Sequence, residues 1–326
     1  MKSLADPARD VLTSLAMTPP HPNATDHDPG LPPPMKHLAI KALAQIEASV
    51  SAGIWEAHLG CGALAGAFLI HEKFVQGPSV EAIMSRAQAQ VAGATSGPRD
   101  TTSISLSRFT QAIVQEISVN AEVPKEIGHD VIYAAYVLQA LHTFDIAPWS
   151  SLLDALTTQI RRIKESGPGW ITLNGENQVR PLAEAVEADV CDYWRRFAQF
   201  DRPRPMEVGD MQLGHLLTHG HAITLLRHHV TDTTLAALDV AYRKRVRGLL
   251  VANESQIDQT PLRQSAVDPR HEAYWRQMKA SGDMHGHVMK YAYSFLDLTK
   301  ATGPSAQDLV AFGRVVWPAR ARATTA

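Results

Sequence analysis

The sequence predicts an all-α protein, a single-domain ring or bundle of about ten helices around a histidine-lined cavity. Three observations carry that expectation. From Met35 onward, apolar residues recur at helical spacing in almost every segment. Alternating Val/Ile/Thr runs bounded by tight turns are absent, apart from the short stretch Trp170-Ile171-Thr172-Leu173. The segments are also divided by Gly- and Pro-containing breaks of the kind that end one helix and start the next.

Taken in order, residues 1–34 hold a short helical pattern over 4–17, followed by Pro19, Pro20, Pro22, Pro29 and Pro32-Pro33-Pro34. That proline density forbids helix and sheet alike and reads as an extended arm. The helical domain is expected over 35–318, with a flexible tail at 319–326. Its helices are expected near 35–51, 54–76, 78–93, 105–120, 124–144, 148–165, 181–199, 209–230, 232–252, 268–280, 284–300 and 304–317. Gly77-Pro78 closes one helix and opens the next. Ser96-Gly97-Pro98 and Gly167-Pro168-Gly169 read as loops, and Arg202-Pro203-Arg204-Pro205 as an extended joint.

At 326 residues and 45% hydrophobic, the chain can bury a core without disulfides. A net charge of −2 leaves no electrostatic footprint for nucleic acid or an anionic membrane. The two cysteines, Cys61 and Cys191, make no disulfide framework and suit a reducing compartment. No basic segment followed by an apolar one opens the chain, and no apolar run reaches the roughly 18 residues of a membrane span. The expectation is a cytoplasmic globular protein.

Four apolar, small-residue segments each carry histidine early. In the first, Cys61, Gly62, Ala65 and Leu69 share the helical face of His58, inside a helix apolar all round from Ala57 to Ile70. A core histidine bonded to a backbone carbonyl and a site histidine both fit that pattern. Gly60-x-Gly62 is no nucleotide loop, because no strand precedes it. In the second, His129, Tyr133 and Tyr136 form one face, opposite Ile127, Val131, Ala134, Leu138 and Leu141. Such a helix can pack outward on the core and line a cavity inward.

The third segment holds His215, His219, His221, His228 and His229. His215 and His219 are helical neighbours at the common spacing of two metal ligands, whereas His221 points about 120° away from His215. His228 and His229 fall near the helix end, where solvent or the helix dipole accounts for them. In the fourth, His287, Lys290, Tyr291, Ser294 and Asp297 make one stripe. Spacing alone reads it as an ordinary solvated face. Walker loops, nucleophile elbows, Cys-x-x-Cys pairs, His-Glu-x-x-His and paired Glu-x-x-His motifs are all missing. Neutral imidazoles suit zinc, iron, copper or nickel, so the histidines do not choose a metal.

The order and wording of these segments resemble the questin oxidase-like family. The resemblance rests on His58-Leu59 opening an apolar helix and on His129-x-x-x-Tyr133-x-x-Tyr136. It continues through His215-Leu216-Leu217-Thr218 running on to His221-Ala222, and Ser281-Gly282-Asp283-x-His285-x-His287-Val288-Met289-Lys290. It covers roughly residues 50–300, with little match over about 145–205. Tyr133 stands where the family often has a second histidine, and Gly286-His287 lengthen the final motif.

The resemblance implies an oxygenase acting on aromatic polyketides such as anthraquinones, by Baeyer–Villiger-type oxygen insertion or ring cleavage. It also implies a mononuclear non-haem iron, Fe(2+), held by histidines and a carboxylated lysine. Carried over, the imidazole candidates are His58, His129, His215 or His221, and His287, with Lys290 as the modified lysine. Helix geometry pairs His215 with His219, while the family wording favours His221. Tyr133 and Tyr136 are the candidates to orient a phenolic substrate or donate a proton, and Trp55 or Tyr291 to stack on it. Dioxygen and a small aromatic molecule are the implied partners, and a requirement for NADPH stays open. A zinc hydrolase or lyase, or a helical binding protein with structural histidines, would use the same residues differently.

Overall fold

A computed structural model describes residues 33–51, 57–93, 102–165, 206–254, 267–281 and 286–316. Residues 1–32 of the N-terminal arm, the helix expected over 181–199, Trp55, the Trp170–Leu173 stretch, Asp283, His285 and the C-terminal tail lie outside them. Pro33 and Pro34, expected in the extended arm, instead form the first two residues of a helix, where proline's missing N–H costs nothing. The described elements are α1 (Pro33–Ala48), α2 (Ala57–His71), α3 (Pro78–Gln90), α4 (Leu106–Ser118), α5 (His129–Thr143) and α6 (Ser150–Glu165). They continue with α7 (Met206–Leu226), α8 (Asp232–Glu254), α9 (Glu272–Ser281), α10 (His287–Leu298) and α11 (Ala306–Val316). Among the described residues the only extended pairing is one antiparallel bridge between Ser103 and Trp149. The all-α expectation holds, and no described helix is long and apolar enough to cross a membrane.

Local sequence explains most boundaries. Ser105 caps α4 by accepting from the Arg108 amide at 3.2 Å, and Phe109, Ile113 and Ile117, four apart, form its buried stripe. Ser305 and Asp308 cap α11 reciprocally, Ser305 N to Asp308 Oδ2 at 2.9 Å and Asp308 N to Ser305 Oγ at 3.2 Å. Pro78 starts α3 directly after Gly77, whose φ of 56° favours glycine. One boundary differs from expectation. Instead of a helix from 124, a single 3-10 turn, Glu126–Gly128, precedes α5, because Glu126, Ile127 and Gly128 take φ of 29°, 54° and 87°. The helix can begin only after them, at His129.

Four helices close a ring at the centre: α2 packs on α5, α5 on α7, α7 on α10 and α10 back on α2. α2 and α5 are buried on nearly every side, which is why their sequences lack a polar face. The small residues of α2 set the spacing. A Cβ at Gly60 would stand 2.6 Å from the Ala42 carbonyl of α1. One at Gly62 would stand 2.7 Å from Gly286 Cα, immediately before α10. At Gly66 it would meet Met289 Sδ at 2.9 Å. The backbones of α2 and α10 therefore touch, one turn from His58 on one side and one residue from His287 on the other. Gly62→Ala is expected to force the two apart at a cost of about 1–3 kcal/mol, the usual range for overpacking, read as a lowered urea midpoint with an unchanged slope.

Candidate metal centre

Each helix of the ring brings a histidine to its middle: His58 from α2, His129 from α5, His215 from α7 and His287 from α10. His58 and His129 ring centres are 4.5 Å apart, His129 and His215 4.7 Å, His58 and His287 4.7 Å, and His215 and His287 4.9 Å. His129 Nε2 is 3.0 Å from His215 Nε2, which lies 3.3 Å from His287 Nε2. Two imidazole nitrogens that close share either a proton or an ion. Ligands about 2.0–2.1 Å from a common centre stand about 3.0–3.4 Å from one another, so the spacing suits both. His58, His129 and His215 each offer a ligand atom, and the three atoms lie within 4.8 Å of one another. All three are fully buried, while His287 is only partly covered at the rim.

Burial sets the protonation of the triad. It pulls the pKa of His58, His129 and His215 well below the ordinary histidine value. Lys290 and the neighbouring histidines push the same way, and Arg245 adds to the effect on His129 and His215. The starts of α2, α5 and α10 also bring three positive helix ends to this point. The rings are therefore neutral at pH 7, the form that binds metals. Three neutral, buried imidazoles aimed at one point could hold a metal ion.

No family model, curated protein or solved structure matches the chain.

The remaining candidates divide between the triad and a second polar cluster. Lys290, 1% exposed, places Nζ in hydrogen-bonding contact with His58 Nδ1. The solvated-face reading of its stripe is thereby corrected: Lys290, Tyr291 and Ser294 all face the ring interior, because α7 covers α10. Tyr133 is buried with its ring 5.5 Å from His129 and 5.8 Å from His58. The Tyr291 ring fits where Gly214 has no side chain, a Cβ there lying 2.0 Å from Cζ, and stands 6.2 Å from His215.

His221 is not brought to the triad, although the family wording favoured it. Six residues on from His215, it sits about 9 Å further along α7 and about 120° around it. Both its nitrogens are engaged there, Nε2 with Asp297 Oδ2 at 2.9 Å and Nδ1 with Ser294 Oγ at 3.0 Å. Burial raises the Asp297 carboxyl, but hydrogen bonds from His221 and Lys300 outweigh that and hold it well below the carboxylate range. Tyr136 belongs to the same cluster, its hydroxyl 3.3 Å from Ser294 Oγ and donating to the Lys290 carbonyl at 3.5 Å. His219 also misses the triad. Its ring lies under Gly128, against Tyr242, and Nδ1 makes no hydrogen bond among the described residues.

The sequence reading passed over Arg245 and the partnership of His221 with Ser294 and Asp297. Ser294 and Asp297 were visible on the stripe, but nothing placed His221 opposite them. Arg245 carries no signal that sets it apart from Arg243, Lys244 and Arg247 beside it.

Proposed function

We propose that the protein is a non-haem iron oxygenase of the questin oxidase-like kind, acting on an aromatic polyketide or quinone by Baeyer–Villiger-type oxygen insertion or ring cleavage. The observation that carries the reading is the buried triad of neutral imidazoles, His58, His129 and His215, in a ring of apolar helices. His287 joins them from the rim. Bound there with an open position, iron(II) would supply the activation of dioxygen.

The chain's own residues do the rest. The helices α2 and α5, buried along nearly their whole length, keep bulk water from the centre. Burial holds the Tyr133 phenol well above its usual pKa, so it stays protonated and donates a hydrogen bond to a substrate oxygen rather than acting as a base. Tyr136 is held by Ser294 and the Lys290 carbonyl, whereas the Tyr133 ring lies against His129 and His58.

The contact of Lys290 with His58 supports a modified lysine. For His58 to offer Nε2 to an ion its proton must sit on Nδ1, which then needs an acceptor. An ammonium accepts nothing, whereas the oxygen of a carboxylated Lys290 does. Protein purified without oxygen should carry iron and take up dioxygen with a quinone-type substrate. Lys290→Ala should strip or weaken the metal, Lys290→Arg should do no better, and Lys300→Ala should retain it. Zinc without oxygen uptake, or full metal occupancy in Lys290→Ala, would contradict the oxygenase or the modified lysine respectively.

A further inference from the structure

We propose that Arg245 is a positioning residue for the metal centre, clamping the left-handed turn Glu126–Gly128 so that His129 is aimed at its partners. The turn has the character of a loaded element. Glu126, Ile127 and Gly128 take φ of 29°, 54° and 87° in succession. Glycine does so freely, but an L side chain in this region is strained, and a β-branched residue such as Ile127 is the least suited of all. Such backbone persists only where its surroundings dictate it.

Two neighbours do so. From α8, Arg245 Nη1 donates to the Ile127 carbonyl at 2.5 Å. From α7, the His219 ring occupies the space beside Gly128, where a Cβ would lie 2.4 Å from Cγ. The same Nη1 reaches the His215 carbonyl at 3.4 Å. One guanidinium thus touches the backbone of both elements whose histidines meet at 3.0 Å. Arg245 is 2% exposed, and burial lowers its pKa only to about 10, so it remains a cation at neutral pH. His129 follows the turn directly and is the first residue of α5. Any relaxation of Ile127 toward negative φ therefore swings the Cα–Cβ bond of His129 away from His215.

The test uses the full chain, metal-free and with cobalt(II) as the probe. In metal-free Arg245→Met, the ring nitrogen signals of His129 and His215 should move in a proton–nitrogen correlation spectrum, while those of His221, held by Asp297 and Ser294, stay in place. Cobalt(II) affinity should fall by about 10–100-fold, as when a residue orienting a ligand is removed. Because the effect runs through His129, Arg245→Met should add nothing to His129→Ala. Ile127→Gly, which takes positive φ without strain, should restore most of the affinity to Arg245→Met. Losses that add to those of His129→Ala, or no rescue by Ile127→Gly, would mean a merely structural arginine and overturn the proposal. Should Arg245→Met fail to fold, it is read in the Ile127→Gly background: recovered folding with wild-type His129 and His215 signals supports the clamp, and any other result overturns it. A wild-type chain that takes no cobalt would sink the metal reading on which the affinity arm rests, while the metal-free spectra would still decide the clamp.

Discussion

Replacing His215 with alanine is expected to weaken metal binding by more than about 100-fold, since losing a ligand outweighs the 10–100-fold loss on removing a residue that orients one. His215 is the right target because its Nε2 is the nitrogen that both His129 and His287 approach, at 3.0 and 3.3 Å. His221→Ala is the control. It removes bonds to Asp297 and Ser294 and should destabilise the fold by about 2–3 kcal/mol, the cost of unpairing buried polar groups, yet leave a metal-competent triad. Metal content and affinity after anaerobic purification separate the two. Equal metal loss in both variants would mean that His221 reaches the ion after all.

Lowering the pH from 7.5 to 5.5 should cost the metal-free protein on the order of 5 kcal/mol of stability, through four histidines at roughly 1.4 kcal/mol each. His58, His129, His215 and His219 all have pKa values pulled down by burial. In the unfolded chain each takes a proton below about pH 6.5, while in the folded chain it does not. The unfolded state therefore binds the extra protons, so stability is fully present above about pH 6.5 and drains away as pH falls below it. Asp297, whose folded pKa is also lowered, acts in a separate window below about pH 4. Urea unfolding at several pH values reads the slope directly. A flat profile between 7.5 and 5.5 would show that the rings are not held neutral.

The fold was legible because helical periodicity is local: each stripe, cap and Gly-Pro break is written within a few residues, and the expected helices match the described ones to within a few positions at most ends. The turn at 126–128 was not, because nothing in Glu126-Ile127-Gly128 favours positive φ before Gly128 itself. Its conformation is imposed by Arg245 and His219 from other helices. The histidine cluster was partly legible. His58 and His129 stood out as histidines in helices without a polar face, and His287 through the family wording. The choice among His215, His219 and His221 could not be made from spacing, since it depends on which helix covers each face of α7. The stripe of α10 was misread for the same reason: periodicity finds a polar face, and only packing says whether water or another helix lies against it.

The close approach of Gly62 and Gly286 decides when in folding a metal site could form. His129 and His215 are 86 residues apart in sequence, and His215 and His287 are 72 apart. No short segment therefore carries more than one of the four clustered histidines, and bringing such distant groups together costs loop-closure entropy that local helix formation does not. The four-histidine cluster is complete only once the start of α10, late in the chain, has packed against the backbone of α2. Folding would precede any loading. A metal held there would be taken up by the finished protein rather than the emerging chain, and selection among competing ions would fall to the shape of a closed interior instead of to the order in which ligands appear.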